Sequence, residues 1–153
     1  MEFNKSKKIL VIGRAGMDIY PEPPGTKISE VKNFSTHLGG SAANTCVALS
    51  QLGVQSDLLT CVSEDAIGEY IFEKLREFNV GSNLCRRVEN KFQTQVAVVE
   101  TILKNNQSIL YRNNSCDLQL NKNDIDNINF QDYSVVFISC LLYTSDAADD
   151  MQC

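Results

Sequence analysis

The segment Phe34-Ser-Thr-His-Leu-Gly-Gly-Ser-Ala-Ala-Asn-Thr-Cys-Val-Ala-Leu-Ser-Gln-Leu-Gly53 joins an extended stretch to a helical one. From Ala42 to Leu52 the apolar residues recur at helical spacing, and Gly53 is a typical C-terminal stop. The segment therefore predicts a strand, a tight junction and a helix, in that order.

Two glycines, Gly39 and Gly40, form the junction. Without side chains they let the backbone approach a ligand, and the N–H groups of the first helical turn then face that ligand. Asn44 adds a side chain that both donates and accepts hydrogen bonds. These residues predict a small polar cradle for hydroxyls or oxyanions. A plain tight connection is the alternative that the residues alone leave open.

The motif Gly39-Gly40-x-x-x-Asn44, followed by Gly53, resembles the sugar-contacting signature of the PfkB/ribokinase family of carbohydrate kinases. Two positions depart from that signature. Cys46 stands where Ser, Thr or Ala is preferred, and Ser63 stands where a later glycine is usual. Both are small side chains, so the geometry of the motif is preserved. The resemblance implies substrate contacts by Gly39, Gly40 and Asn44.

Composition is that of a soluble globular domain, with 43% apolar residues among 153 and no run long enough to span a membrane. The N-terminus lacks the apolar region and cleavage site of a signal peptide. A formal net charge of −5 argues against nucleic acid as the main partner. We expect neither a membrane nor a nucleic-acid partner.

The six cysteines form no C-x-x-C pair, and His37 is the only histidine, so we expect no metal site. His37 itself is predicted to lie in packing or on the surface rather than to act as a base. Cys46 and Cys61 lie within apolar patterns and are predicted to be small buried side chains. This cysteine usage is typical of a reduced, cytoplasmic protein.

Lys8–Ile12 is a short apolar run that predicts a central strand of a parallel sheet. The sequence after it has neither G-x-G-x-x-G nor a Walker A lysine, which disfavours a nucleotide-binding oxidoreductase. Asp18 follows where open α/β sheets place ligands, and its carboxylate can accept two hydrogen bonds from sugar hydroxyls. A loop cap is the alternative; the family resemblance implies the hydroxyl contact.

Further alternation of strands and helices predicts a doubly wound, mostly parallel α/β sheet. A second buried strand is expected at 56–62, followed by a helix that Ser63-Glu-Asp65 caps and that has an apolar stripe. A polar helix is expected at 121–128 and another strand at 133–139. Turn-forming prolines between Tyr20 and Glu30 exclude that stretch from the central sheet.

The resemblance implies a ribokinase-like fold with a small β lid, built here from residues about 18–38 and 93–112. The second lid piece reads as a hairpin, with Asn105-Asn106 at the turn. Arg112 ends that hairpin. A strand-end arginine is usually a solvated charge, but a Tyr-Arg at this place in kinases of keto-deoxy sugar acids helps to bind the acid, which a guanidinium does through paired donors.

Residues 140–153 resemble a translated sequencing adapter, so we interpret 1–139 as the N-terminal part of a kinase domain and 140–153 as a non-native tail. The family's phosphoryl-transfer aspartate lies in a Gly-Ala-Gly-Asp stretch, and none occurs in this sequence. The resemblance implies ATP and Mg²⁺ as cofactors, with the nucleotide site outside this chain. We therefore expect no catalytic residue here and no turnover by this chain alone.

The function expected is that of the N-terminal fragment of an ATP-dependent sugar kinase. The kinase would phosphorylate a hydroxyl of a sugar or of a keto-deoxy sugar acid, and Tyr111-Arg112 is the feature that suggests the acid. Substrate would contact Asp18, Gly39-Gly40, Asn44 and Arg112. The alternatives are a naturally truncated, non-catalytic sugar-binding module and another kinase of the same family, such as a ribokinase or fructokinase. The resemblance also suggests a homodimer formed through the lid.

Overall fold

Two four-stranded sheets organise the part of the chain that the computed structural model describes, residues 7–89 and 91–139. In chain order the strands are β1 (Lys8–Ile12), β2 (Gly16–Glu22), β3 (Asn33–Gly39), β4 (Ser56–Ser63), β5 (Cys85–Val88), β6 (Val96–Val99), β7 (Ser108–Tyr111) and β8 (Tyr133–Ile138). The helices are α1 (Ser41–Gln51), α2 (Ala66–Glu77) and α3 (Lys122–Asp126). Short 3₁₀ turns lie at Ile28–Glu30, Cys116–Gln119 and Phe130–Asp132.

The first sheet has the strand order β5-β4-β1-β8, and every pairing in it is parallel. β1 lies inside this sheet because its apolar residues are buried on both faces, as parallel sheets require. One face packs on α1 and α2 through a cluster that includes Val11, Ala43 and Leu75, and the other buries Leu10 and Leu59. The predicted doubly wound α/β architecture is confirmed.

α2 begins at the predicted cap. The side chain of Asp65 accepts hydrogen bonds from the backbone N–H groups of Ile67 and Gly68, each at 3.0 Å. Ile71 and Leu75 of the apolar stripe are fully buried against the sheet. Partial burial acts to raise the pKa of Asp65, but these hydrogen bonds and the one from the Ser63 hydroxyl outweigh it and lower that pKa.

The second sheet, with the order β3-β2-β6-β7, is built largely from the two segments predicted to form the lid, and we call it the lid sheet. Its strand β2 lies outside the central sheet, as the prolines between Tyr20 and Glu30 led us to expect, but it continues as a regular strand through Pro21 to Glu22. The physical reason is the pairing of β2: its contact with β6 covers only Met17 to Ile19, so beyond Ile19 the strand is paired on one side alone. A proline, which lacks an N–H donor, is tolerated at such an edge.

Two boundaries differ from expectation. The polar helix is shorter than 121–128, because a capping box between Asn121 and Asp124 starts it and it ends at Asp126. The hairpin strand covers Val96–Val99 only, although the backbone N–H of Glu100 still donates to the carbonyl of Gln107 at 2.9 Å. The buried Glu100 carboxylate accepts from the backbone N–H groups of Ile28 and Gln107. β5 joins the parallel sheet although the charged pair Arg86-Arg87 obscures its pattern.

The buried carboxylate of Asp57 links three strands of the first sheet through an ion pair and a hydrogen bond. Lys8 Nζ lies 3.1 Å from both oxygens of Asp57, and the Tyr133 hydroxyl donates to Asp57 Oδ2 at 2.7 Å. Desolvation and the neighbouring carboxylate raise the pKa of Tyr133. The cluster links β1, β4 and β8 at the edge of the sheet where these strands begin.

Removing the Tyr133 hydroxyl should therefore destabilise the protein. We expect Tyr133→Phe to lower the free energy of unfolding by about 1 kcal/mol, because the Asp57 oxygen loses a donor in a shielded place. Urea denaturation measures the change. The matched control is Tyr111→Phe, the same deletion on a side chain that is 61% exposed; equal midpoints for the two variants would contradict the argument.

β8 forms the outer edge of the first sheet within the described residues. Its apolar side chains are substantially exposed, from 40% at Val135 to 51% at Ile138. Because successive side chains of a strand point to opposite faces, both faces of the sheet are uncovered at this edge. An exposed apolar edge strand of this kind is a template for pairing with further chain.

Candidate functional site

Two glycines paired across neighbouring strands form the floor of the candidate site. Gly16 of β2 lies opposite Gly39 of β3. A Cβ on Gly39 would overlap the carboxylate of Asp18, and a Cβ on Gly16 would lie 2.5 Å from Cγ of Gln95. Each glycine thus leaves room for a polar side chain that lies across it. Asp18 and Gln95 are brought side by side on one face of the lid sheet.

Asp18 lies within β2, in the lid sheet, rather than in a loop directly after β1. Burial raises the pKa of its carboxyl, and this effect exceeds the lowering by the hydrogen bond from the Tyr20 hydroxyl, at 3.4 Å, and by the charges of Arg14 and His37. A half-buried carboxylate of this kind is costly to keep ionised unless a ligand donates hydrogen bonds to it. Its oxygens therefore suit hydroxyl donors.

His37 lies opposite Asp18 on β3. Its ring is exposed, contacts the Tyr20 ring edge-on with centroids 5.3 Å apart, and lies 3.2 Å from the Ser35 hydroxyl. These contacts fit the predicted packing or surface position, and the charge of His37 acts on Asp18 from the neighbouring strand.

The N-terminus of α1 borders the glycine floor. Gly40 is its N-cap and has a φ of 93°. The backbone N–H of Ala43 donates to the carbonyl of Arg14 at 3.2 Å, so one of the N–H groups expected to face a ligand is occupied within the protein. Asn44 lies exposed in the first turn. The Ser41 hydroxyl is hydrogen-bonded to that of Ser139, which fixes the helix to the end of β8.

Arg112 lies at the opposite edge of the lid sheet from β3, directly after β7. Its Nη2 is 2.6 Å from Asp117 Oδ2, and the two side chains are 14% and 7% exposed. Ser115 donates to the same carboxylate. The guanidinium is therefore already oriented by an ion pair, while its Nε is buried without a hydrogen-bond partner in the described structure.

The structure unites some predicted residues and separates others. Asp18 lies against Gly39, and Gly40 and Asn44 follow on the same junction. No contact described for residues 7–89 and 91–139 joins Arg112 to Asp18. Arg14 and Gln95 are additions that sequence reasoning missed: Arg14 carries a charge that acts on Asp18. The pairing of Gly16 with Gly39 would have revealed Gln95, but only the fold shows it.

A separate concavity of about 640 Å³ lies beside the start of β5 and α3. Its one guanidinium, that of Arg86, is held by Asp124 and by the carbonyl of Gln119 at 2.7 Å. None of the predicted site residues lines it. It is therefore distinct from the candidate site on the lid sheet.

The described part of the chain was compared with the ligand clusters that metal ions need. Nowhere in it do three or more His, Cys, Asp or Glu side chains converge where they could hold a metal ion. None of its helices combines the length and the apolar character that crossing a membrane requires. The described part of the chain thus offers no preformed all-protein cluster for Mg²⁺, and we derive no chemical step through Mg²⁺.

Solved structures place this fold among the sugar kinases. A sugar kinase from Pyrococcus horikoshii in complex with ATP superimposes with a TM-score of 0.69 and 30% identity, over 80% of this chain and 39% of that one. The fold of 2-dehydro-3-deoxygluconokinase from Thermotoga maritima is also similar, with a TM-score of 0.76 and 20% identity over 86% of this chain and 40% of that one. The architecture is ribokinase-like.

The sequence matches the pfkB family carbohydrate kinases over residues 6–153, and the chain belongs to that family. Among its curated relatives, the 5-dehydro-2-deoxygluconokinase of Photobacterium profundum is 34% identical over 119 residues, which is 76% of this chain and 35% of that protein. The enzyme of the same name from Clostridium perfringens is 31% identical over 142 residues, 91% of this chain and 42% of that protein. This chain thus spans about two fifths of the relatives' length.

The predicted tail, residues 140–153, lies outside the described residues. The candidate site draws on three separate segments, residues 14–18, residues 37–44 and Gln95. The three segments meet around the Gly16–Gly39 pair.

Proposed function

We propose that this chain supplies the sugar-binding half of an ATP-dependent kinase that phosphorylates a hydroxyl of a keto-deoxy sugar acid, with 5-dehydro-2-deoxygluconate as the substrate. One observation carries the proposal: a half-buried carboxylate, Asp18, lies across a glycine floor beside the N-terminus of α1. In the proposed complex, Asp18 accepts from sugar hydroxyls, and Gly39, Gly40 and Asn44 border the ring. Arg112 holds the acid group.

The charge pattern supports an acid rather than a neutral sugar. Arg112 is positioned by Asp117, and its unpartnered Nε is a donor for a carboxylate oxygen. The relatives are named 5-dehydro-2-deoxygluconokinase. We propose that the kinase acts on this substrate in the breakdown of inositol. Another kinase of the family, a ribokinase, fructokinase or 2-keto-3-deoxygluconate kinase, is the alternative, because all share the polar cradle.

Phosphoryl transfer needs a base for the attacking hydroxyl and donors for the developing charge. The sequence holds no Gly-Ala-Gly-Asp stretch. We therefore propose that ATP and Mg²⁺ bind a part of the kinase other than this chain, and that this chain alone is inactive. A non-catalytic sugar-binding module remains the competing proposal.

We also propose that the lid forms a homodimer contact. Side chains one residue out of phase with Asp18 lie on the opposite face of the lid sheet, and apolar ones among them are exposed: Phe34 by 47%, Ile109 by 38% and Tyr111 by 61%. Such a patch suits a second copy of the same sheet.

A cytoplasmic location is proposed from the cysteines that the structure shows free: Cys46, Cys61, Cys85 and Cys116.

The deciding experiment begins with long-read sequencing of the source DNA across the codons for Ser139 to Cys153. If the frame continues into a Gly-Ala-Gly-Asp segment, the longer protein is expressed and ADP release is measured with ATP, Mg²⁺ and 5-dehydro-2-deoxygluconate. Turnover of that acid faster than of D-fructose or 2-dehydro-3-deoxygluconate is the expected result. A genomic stop after Cys153, with sugar binding and no ADP release, would instead establish the binding module.

A further inference from the structure

Gln95 carries a buried acceptor that has no partner. The residue is 3% exposed, and its Oε1 is shielded from solvent without a hydrogen bond in the described part of the chain. Buried polar atoms are nearly always hydrogen-bonded, since leaving one unsatisfied is costly. The orphaned oxygen therefore calls for a partner that residues 7–89 and 91–139 do not provide.

The side chain of Gln95 lies in the candidate site. It covers Gly16, just as the Asp18 carboxylate covers Gly39, and the two glycines are directly paired. Both side chains thus lie on one face of the lid sheet, on either side of the glycine pair. A ligand that donates hydroxyls to Asp18 comes within reach of Gln95.

A second unsatisfied group lies on the other side of Gln95. Val96 is paired with Tyr111, so the residues just beyond this pair, Gln95 and Arg112, are neighbours at the end of the β6–β7 ladder. Arg112 Nε is a buried donor without a partner, as Gln95 Oε1 is a buried acceptor. The described part of the protein therefore carries a donor and an acceptor without partners at the same end of the β6–β7 ladder, and Asp18 lies on the adjacent strand β2.

We propose that Gln95 is a specificity-determining substrate contact, whose Oε1 accepts a hydrogen bond from a hydroxyl of the sugar acid between the carboxylate at Arg112 and the hydroxyls at Asp18. This inference rests on the proposed function, which it deepens. The neutral amide is suited to this place, because a carboxylate there would repel the acid group of the substrate and add to the charge of Asp18.

The test measures binding of 5-dehydro-2-deoxy-D-gluconate to the 153-residue chain by saturation-transfer NMR titration. Gln95→Met keeps the length of the side chain and removes the amide, and should weaken binding about tenfold. Gln95→Glu should weaken binding of the acid more than that of neutral D-fructose. Gln93→Met is the matched control, because it makes the same change on an exposed side chain two residues away, and should alter affinity less than about twofold.

A readout on the unsubstituted chain covers the case in which Gln95→Met does not fold. The side-chain amide resonances of Gln95 should shift on addition of the acid, while those of Gln93 should not. Unchanged affinity in a folded Gln95→Met variant, or unshifted Gln95 resonances at saturation, would overturn the inference and leave the proposed function standing. Absence of any binding by the unsubstituted chain would overturn both.

Discussion

Replacing Asp18 with asparagine is expected to weaken binding of 5-dehydro-2-deoxy-D-gluconate by about 100-fold, since two charge-assisted hydrogen bonds to substrate hydroxyls are lost. Isothermal titration calorimetry of the chain measures the change. Asp126→Asn is the matched control: it makes the same substitution on an exposed residue of α3 and should leave affinity unchanged. An Asp18→Asn variant that binds as tightly as the unsubstituted chain would remove Asp18 from the site.

The same substitution should raise stability at neutral pH. Burial raises the pKa of Asp18 above its ordinary value of 3.8, so folding favours the protonated carboxyl. The stability from this group is fully present below pH 3.8 and is lost as the pH rises through the raised folded pKa. Asparagine is neutral throughout.

The gain in the free energy of unfolding of Asp18→Asn should therefore be largest at neutral pH and shrink as the pH falls towards 3.8. Urea denaturation at a series of pH values measures it. Loss of binding together with a gain in stability would show that Asp18 is retained for its ligand. A variant less stable than the unsubstituted chain at about pH 7 would contradict this account.

Replacing Gly40 with alanine is expected to cost about 3 kcal/mol or more of unfolding free energy, because strained backbone and overlap add together. The φ of Gly40 is 93°, and a Cβ there would overlap the Arg14 carbonyl oxygen and lie 2.9 Å from Cα of Ala15. Both obstacles are backbone, so they cannot rotate away. In a domain of ordinary stability such a loss leaves much of the chain unfolded.

Gly53→Ala separates the two causes. Gly53 also has a positive φ, of 75°, but nothing lies within 4 Å of its Cβ direction. Its substitution should cost only about 1 kcal/mol, from the backbone alone. Urea midpoints and the soluble fraction on expression measure both variants. If Gly40→Ala is no less stable than Gly53→Ala, close packing of the α1 N-terminus against Arg14 is not important to the fold.

Much of the fold follows from local pattern. The apolar run of β1, the glycine junction before α1 and the Asp65 cap of α2 are each contained in a few neighbouring residues, and the structure has all three. The strands β2 and β5 are harder to predict from the sequence, because Pro21 and the Arg86-Arg87 pair are unfavourable in strands. In both cases the number of neighbouring strands, a property of the whole sheet, decides whether the residue is tolerated.

The site divides in the same way. The motif Gly39-Gly40-x-x-x-Asn44 can be recognised in the sequence, and so can the position of Asp18 shortly after the first strand. Gln95 cannot be found in this way, because its significance comes from Gly16, which is 79 positions away in sequence (95 minus 16) but adjacent in the sheet. The roles proposed for all these residues remain predictions until binding is measured.

The parallel pairing of β1 with β8 also has a consequence during synthesis. Ile9 is paired with Val135, so the first strand emerges from the ribosome long before its neighbour exists. At the usual rate of about 5–20 residues per second this delay is roughly 6–25 s, during which this apolar strand has one side unpaired. Nascent chains stalled before Tyr133 should accordingly recruit chaperones that bind exposed apolar segments, and chains stalled well beyond Ile138 should recruit fewer.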